Sequence, residues 1–349
     1  MNISDIFENQ AVACESLGSP FTACVLRIAA ELLPDVGPVG ARILGWQGDA
    51  SVSADSVPLR LAGGLHALVL TGQDVGLTSV YPTSGTSPGN NKLRSAIATA
   101  LTTHSNFLLD WLKSPPQTNE SARSAPLVAA GALLTQRYAL PLRLLELGAS
   151  AGLNLRWDQT ALVQDDWRIG PKDAGLTLTP KWSGDVPPQA EIVIASRAGA
   201  DLNPLDPTLP EDRLRLMSYI WPDQKDRLER MQNALDLACE FPAQVTKADA
   251  IDWLEAELAN GHDGVVTVIY HTVAWQYFPK DVQARGKALI EQAGTTATRN
   301  APVAWLSMEN DGTDNLGAEV MMRLWPGDIK LDLGRADFHG RWVDWASGQ

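Results

Sequence analysis

The chain has 349 residues, a formal net charge of −13 and 45% hydrophobic residues. This composition excludes a disordered or low-complexity chain, because it supplies ample apolar material for a packed core. The negative charge disfavours binding to nucleic acid or to an anionic membrane surface, since phosphate binding requires clustered Lys and Arg. The three cysteines, Cys14, Cys24 and Cys239, form no Cys-x-x-Cys pair, so neither a disulfide scaffold nor a cysteine zinc site is expected.

The N-terminal segment has no basic residue before Arg27, so it does not have the pattern of a signal peptide. No apolar run approaches the roughly 20 residues that a membrane-spanning helix requires. We therefore predict a cytoplasmic protein. The five histidines show no metal-ligand spacing such as His-Glu-x-x-His, and no metal is predicted.

The first 120 residues are predicted to form a helical region, because apolar residues recur there at helical spacing. Such spacing is found over residues 21–33, 59–70 and 92–112. From about residue 140 the pattern changes to short apolar strands that alternate with helices, which is typical of a parallel sheet covered by helices.

The predicted strands of this second region are residues 142–147, 191–195, 244–247, 265–270 and 302–308. The segments 319–325 and 329–333 flank a Pro-Gly-Asp turn and predict an antiparallel hairpin. The sequence thus predicts an α/β fold with a mostly parallel sheet that ends in an antiparallel hairpin, preceded by an N-terminal helical region. The corresponding domains are 1–120 and 121–349.

The most informative motif is Glu146-Leu-Gly-Ala-Ser-Ala-Gly152, which follows the first predicted strand. A helix is predicted to begin directly after it. A turn of small residues lets a ligand approach the backbone, and a helix N-terminus offers N–H groups to it.

This motif resembles the first motif of the class I S-adenosylmethionine-dependent methyltransferases, in which an acidic residue precedes a Gly-x-Gly-x-Gly turn. Ser150 stands in place of the middle glycine. The resemblance covers about residues 140–345 and implies a Rossmann-like domain with S-adenosylmethionine as cofactor. It implies that the amino-acid end of the cofactor contacts five residues: Glu146, Gly148, Ala149, Ser150 and Gly152.

The same resemblance implies roles for residues at later strand ends. Asp249 matches the acidic position near the adenine, and Asp201 is the available match for the ribose position. The family usually has that ribose residue about 20 residues after the turn, whereas here the next predicted strand begins at Glu191. An insertion with several tryptophans therefore separates the two.

Tyr270 and His271 end the strand after which the family places catalytic or substrate-contacting residues. Histidine titrates near neutral pH, so we predict His271 as a general base for an acceptor that must lose a proton. Tyr270 is its predicted catalytic neighbour. The alternative for a histidine at a strand end is a hydrogen-bonded structural role.

A cluster of five polar residues, Gln117-Thr-Asn-Glu120 and Arg123, precedes the apolar helix predicted over residues 126–138. Four of them are candidates for substrate binding: Gln117, Asn119, Glu120 and Arg123. Helix capping needs only one polar side chain, so we predict that this cluster contacts the substrate.

The chain also resembles, over nearly its whole length, a bacterial family of unknown function. Three segments carry this resemblance: Gln117-Thr-Asn-Glu120, Glu146-Leu-Gly-Ala-Ser-Ala-Gly-Leu-Asn154 and Trp221-Pro-Asp-Gln224. It implies a methyltransferase-like fold and no particular activity.

A second interpretation is an α/β-hydrolase, because residues 148–152 also satisfy Gly-x-Ser-x-Gly. Ser150 would then be the nucleophile, with Asp311 or Asp314 and His339, or Asp263 and His271, as partners. Against it, an elbow normally follows several strands, and the first 140 residues look helical. A third is a non-catalytic binding protein with the same fold. We predict methyl transfer to a small-molecule acceptor, with no nucleic-acid or membrane partner and the oligomeric state left open.

Overall fold

A computed structural model describes residues 2–82, 89–259 and 261–347. The chain divides into two compact units, one formed by Met1–Thr118 with Leu209–Gln232 and the other by Asn119–Thr208 with Asn233–Gln349. The segment Leu209–Gln232, which the sequence interpretation placed in the second domain, therefore belongs to the first unit.

The helices and strands have the following bounds. The helices are α1 (Ile3–Ser16), α2 (Pro20–Leu32), α3 (Gly37–Leu44), α4 (Val57–Leu70), α5 (Val75–Thr78), α6 (Asn90–Thr103), α7 (Ser105–Trp111), α8 (Ser124–Tyr138), α9 (Pro210–Ser218), α10 (Lys225–Glu240), α11 (Ala250–Leu258) and α12 (Lys280–Thr296). The strands are β1 (Leu142–Leu147), β2 (Thr160–Val163), β3 (Arg168–Ile169), β4 (Leu176–Leu178), β5 (Lys181–Gly184), β6 (Ile194–Asp201), β7 (Gln244–Lys247), β8 (Val266–Thr272), β9 (Val303–Glu309), β10 (Ala318–Trp325), β11 (Ile329–Ala336) and β12 (Trp342–Trp345).

The first unit is helical in its described residues, as predicted, although the run 92–112 is two helices that separate at His104. Its core is built from the apolar faces of α1, α2, α4 and α6. The Trp221-Pro-Asp-Gln224 segment braces the start of α2. Asp223 accepts hydrogen bonds from the Ser19 hydroxyl and the Phe21 amide, and the Gln224 amide donates to the Leu17 carbonyl at 3.1 Å.

The second unit contains a nine-stranded sheet with the order β5-β12-β11-β10-β9-β8-β1-β6-β7. The strands β7, β6, β1, β8 and β9 are parallel neighbours. β10, β11 and β12 then follow as an antiparallel meander, and β5 closes the far edge parallel to β12. The predicted fold class is confirmed: an α/β protein with N-terminal helices and a mostly parallel sheet that ends in an antiparallel stretch.

The alternation of side chains along β1 assigns the two faces of this sheet. Leu145 and Leu147 pack with α11 and α12 in one apolar cluster. Glu146 therefore points to the opposite face. β8 is buried along its whole length, as expected of a parallel strand covered on both faces.

The connection from β1 to β6 differs from the prediction. The segment after the β1 turn is a short 3-10 helix, Leu153–Gln159, and not an α-helix. Arg156 interrupts it with a non-helical φ of −111°, and its guanidinium donates to the Phe241 carbonyl at 2.8 Å. The chain then forms the small sheet β3-β2-β4 and the edge strand β5 before β6.

The strand predicted at 191–195 actually runs from Ile194 to Asp201. The error has a physical cause, since residues 198–200 are Ala-Gly-Ala and lack the β-branched side chains that mark a strand. These small residues allow a close approach to β1. A Cβ on Gly199 would lie 2.7 Å from the Ala149 Cβ and 3.1 Å from the Glu146 carbonyl oxygen.

Within the described ranges, no helix has the length and apolar character needed to cross a membrane.

Candidate functional site

The five parallel strands have the order 3-2-1-4-5, counted along the chain, which is the order of a doubly wound sheet. Ligands of such sheets bind beyond the carboxyl ends of the strands, where the order reverses. In this chain the reversal falls between β1 and β8. The candidate site is therefore bordered by the turn after β1, residues 148–152, and by the loop after β8, residues 273–276.

The turn at 148–152, here called the β1 turn, has three residues with left-handed backbone conformation. Their φ angles are +72° at Gly148, +53° at Ser150 and +67° at Gly152. The amides of Gly148 and Ala149 donate to the Ala200 carbonyl at 2.9 and 3.0 Å. Hydrogen bonds to the neighbouring strand β6 thus fix the beginning of the turn.

The same turn is packed against the loop after β8. A Cβ on Gly148 would lie 2.6 Å from the Ala274 Cβ, a distance that real Cβ atoms do not reach. Gly148 is thus required by a protein contact as well as by its φ. Gly148 is the first glycine of the predicted cofactor motif, and its presence is explained by this contact and its φ without any ligand.

Asp201 and Asp249 lie at the carboxyl ends of the next two strands. Asp201 is the last residue of β6 and half-buried; one carboxylate oxygen accepts from the Ser150 amide at 2.8 Å and the other from the Asn203 amide at 2.9 Å. Asp249 follows β7 and caps α11 by accepting from the amides of Ile251 and Asp252. Together with Glu146 on β1, they make three predicted acidic residues that lie at the ends of three adjacent strands.

Glu146 is buried below the β1 turn, with 2% of its surface exposed. It pairs in register with Tyr270 of β8, so both side chains lie on the same face of the sheet. Within the described chain, its Oε2 atom has no hydrogen-bond partner. Burial raises the pKa of Glu146 to about 8, although the nearby Arg156 guanidinium opposes this shift. The carboxyl group is therefore largely protonated at neutral pH.

The Arg156 guanidinium lies close enough to this buried carboxyl group to act on its charge, and the carbonyl of Asn154 accepts from Tyr270, the residue paired with Glu146. The sequence interpretation assigned neither Arg156 nor Asn154 a role. Among the described residues, the Arg156 guanidinium donates to three backbone carbonyls, those of Gly152, Ala238 and Phe241. The Asn154 Oδ1 accepts from the Ser124 hydroxyl at 3.0 Å, while its Nδ2 has no partner in the described residues. The local sequence around Arg156 does not indicate these remote contacts, because one arginine in a predicted α-helix forms no distinctive pattern.

Tyr270, predicted as catalytic, is fully buried, and its hydroxyl donates to the Asn154 carbonyl at 3.1 Å. Burial raises its pKa well above the usual 10, so the hydroxyl stays protonated. In this arrangement it supports the 3-10 helix below the turn.

His271, the predicted general base, is also buried, with 1% of its surface exposed. Its Nδ1 lies 2.7 Å from Glu309 Oε1, and its Nε2 accepts from the Trp305 indole at 3.0 Å. Both ring nitrogens are engaged, so a proton can be taken up only after one of these bonds breaks. The prediction missed Glu309; its one signal was an acidic residue directly after the predicted strand 302–308.

The predicted substrate residues separate into two groups. Asn119 Oδ1 accepts from the Leu153 amide at 2.8 Å, directly after the β1 turn. Arg123 donates to the Thr272 carbonyl at 3.1 Å, at the end of β8, and to the Phe338 carbonyl at 3.0 Å. Glu120 caps the short 3-10 helix Ser121–Arg123 by accepting from the Ala122 amide. Gln117 is a half-buried residue of the first unit.

The acid–histidine pairs of the hydrolase interpretation are arranged differently. The partner of His271 is Glu309 rather than Asp263, and its Nε2 faces the indole of Trp305. Asp311 forms an ion pair with Arg335 at 2.7 Å. Over the described ranges, no group of three or more His, Cys, Asp or Glu side chains is placed to hold a metal ion.

A comparison with family models matches residues 4–345 to a family described as an uncharacterized protein conserved in bacteria, DUF2332. A search of curated proteins found no match.

Proposed function

The chain belongs to the uncharacterized bacterial family DUF2332, and we propose that it transfers a methyl group from S-adenosylmethionine to a small-molecule acceptor. One observation carries the proposal: Glu146, Asp201 and Asp249 stand at the carboxyl ends of three adjacent parallel strands beside the reversal of strand order. A doubly wound sheet binds its ligand at that place. The methyltransferase motif implies acidic residues at the corresponding positions.

The donor set fits a nucleoside carrying an amino-acid chain. Each Asp201 oxygen accepts one backbone N–H and, as a carboxylate oxygen, has a further lone pair that suits a ribose hydroxyl. Glu146 Oε2 lacks a partner in the described part of the chain and lies below the turn. The turn amides of Gly148, Ala149 and Ser150 are already bonded to β6, so side chains would make most of the contacts.

When bound, the cofactor supplies an electrophilic methyl group. The contribution of the chain is to align the acceptor with that group and to exclude water. Asp201 would orient the ribose, and the loop after β8 would border the acceptor. An acceptor that must lose a proton would need His271 released from its present bonds.

Calorimetry with S-adenosylmethionine and S-adenosylhomocysteine tests the proposal. We expect binding by the wild-type chain and about tenfold weaker binding by Asp201→Asn, because the variant loses a charged acceptor. Asp110→Asn is the matched control, since Asp110 is an exposed carboxylate that pairs with Lys113. A folded wild-type chain that binds neither compound at millimolar concentration would refute the proposal. Binding without turnover over a broad acceptor panel would favour the binding protein instead.

One observation favours the hydrolase alternative. Ser150 has a left-handed φ of +53° on a sharp turn after a strand, as the nucleophile of an elbow does. This alternative predicts that a fluorophosphonate probe labels the wild-type chain and not Ser150→Ala. An unlabelled wild-type chain removes it.

A further inference from the structure

We propose that Glu309 is a positioning residue that holds the loop after β8, residues 273–276, against the β1 turn. Its effect on ligand affinity rests on the proposed function, whereas its effect on the loop does not. Glu309 is the last residue of β9, the strand beside β8. Its carboxylate is thus placed at the same edge of the sheet as the loop.

The Glu309 carboxylate gathers several donors from the segment that follows β8. Oε1 accepts from His271 Nδ1 at 2.7 Å and from the amides of Ala274 at 2.9 Å and Trp275 at 3.0 Å. Oε2 accepts from the Gln276 amide at 3.5 Å. Consecutive N–H groups that converge in this way form a concavity for an anion. Here a side chain of the same unit fills it.

The electrostatics agree with this arrangement. Burial disfavours the charge of Glu309, but the bonds from His271, Ala274 and Trp275 outweigh it and lower the pKa of the carboxyl group. The carboxylate is therefore charged at neutral pH, and its bonds to the loop are charge-assisted. Such bonds are stronger than those between neutral groups.

The hydrogen bonds also assign the tautomer of His271. The indole N–H of Trp305 is only a donor, so His271 Nε2 must accept, and the ring proton must lie on Nδ1. Nδ1 then donates to Glu309. The imidazole stacks on Trp275 with ring centroids 4.8 Å apart, which ties the ring to the loop.

The loop needs such support because it begins with a strained residue. Val273 has a φ of +53°, a conformation that is unfavourable for a β-branched side chain. Directly after it, Ala274 takes the position that leaves no room for a Cβ on Gly148. The bonds of Glu309 thus set where the loop lies, and the loop in turn limits where the β1 turn can lie.

The test compares Glu309→Gln with the wild-type chain by amide hydrogen exchange at residues 274 and 275. We expect exchange at least about tenfold faster in the variant, because the amide group of Gln presents N–H to the loop donors and carries no charge. Glu291→Gln is the matched control, since its carboxylate lies on α12 and pairs with Arg323. The control should exchange like the wild-type chain.

Two further readouts separate positioning from general destabilisation. Nitrogen NMR of His271 should report the Nδ1–H form in both chains, because the Trp305 indole still requires Nε2 to accept, and the Nδ1 resonance should shift in Glu309→Gln, where the charged acceptor is lost. Formate should restore slow exchange in Glu309→Ala, because it returns a carboxylate to the same place. Glu309→Asp keeps the charge on a shorter side chain and replaces the other variants if they do not fold. Its amide exchange should be faster than in the wild-type chain but slower than is expected of Glu309→Gln.

The affinity for S-adenosylhomocysteine is measured on the same samples. If the wild-type chain binds it, Glu309→Gln should bind about tenfold more weakly. If the wild-type chain does not bind it but the exchange and the Nδ1 resonance change as expected, the proposed function fails and the positioning role stands. Wild-type exchange at residues 274 and 275 in Glu309→Gln would overturn the positioning role.

Discussion

The β1 turn and the loop after β8 border the same edge of the sheet and are built on one plan. Each contains a non-glycine residue with positive φ, Ser150 in one and Val273 in the other. In each, a carboxylate at the end of the neighbouring strand accepts from backbone amides of the loop. Asp201 accepts from Ser150, and Glu309 accepts from Ala274 and Trp275.

The carboxylates of Asp201 and Glu309 differ in how exposed they are and in how many donors of the chain they already serve. Asp201 is half-buried and accepts one N–H at each oxygen, whereas Glu309 has a side chain only 14% exposed and is also bonded to His271. A carboxylate that keeps exposed surface is able to meet a ligand, and one enclosed by its own chain acts as a brace. The comparison thus supports the proposal that the β1 side binds the ligand and that Glu309 on the β8 side is a positioning residue.

The largest effect is expected where the two regions touch. Gly148→Ala should lower the free energy of unfolding by about 3 kcal/mol, because it adds a clash with Ala274 to an unfavourable φ. Gly312→Ala is the matched control, with a similar φ of +74° and open space around the Cβ, and should cost about 1 kcal/mol. Urea unfolding measures both; equal costs would show that the contact does not constrain the turn.

The buried Glu146 should make stability fall as the pH rises. Its pKa is about 8 in the folded chain, against the usual 4.5, so between these values the folded chain holds a proton that the unfolded chain has released. From pH 5.5 to 7.5 the wild-type chain should lose about 2 kcal/mol relative to Glu146→Gln. Urea unfolding at both pH values measures the difference, and a constant difference would show that Glu146 is ionised in the fold.

Glu309 should have the opposite pH dependence. Its pKa is lowered, so its contribution to stability is complete above the usual 4.5 and is lost as the pH falls through the lower folded value. At neutral pH, Glu309→Gln should cost about 2 kcal/mol and Asp201→Asn about 1 kcal/mol, because Glu309 serves more donors. Thermal or urea unfolding measures the stability lost in each variant. A larger loss in Asp201→Asn than in Glu309→Gln would contradict the interpretation of Glu309 as the positioning carboxylate.

The smallest effect is expected at the apex of the β1 turn. Ser150→Gly should change the free energy of unfolding by less than about 0.5 kcal/mol, because relief of the positive φ is offset by the greater flexibility of glycine in the unfolded chain. Ser150→Ala keeps the Cβ and provides the reference. A large loss in both variants would show that the serine hydroxyl supports the turn.

The β1 side of the site could be predicted from sequence because its signals are local. Glu146 and the turn are contiguous. The boundaries of β7 were predicted correctly because Asp249, which caps the next helix, lies two residues after the end of the strand. The end of β6 was harder to predict from sequence. Gly199 and its neighbours are small because they lie close to β1 and the turn that follows it.

The β8 side could not be predicted because its contacts are remote. Glu309 and His271 are 38 residues apart, and nothing near either residue reveals the pair. The two nitrogens of His271 looked available in sequence and are both engaged in the fold. Arg156 has the same property, since its partners at Ala238 and Phe241 lie 82 and 85 residues away.

The strand β5 has a consequence for how the chain is made. Ser183 of β5 bonds to Asp344 of β12, 161 residues later in the chain. At the usual rate of synthesis, β5 leaves the ribosome on the order of ten seconds or more before its partner exists. During that interval its backbone groups have no partner strand. This edge of the sheet therefore closes only after β12 has emerged, late in the synthesis of the residues that form the sheet.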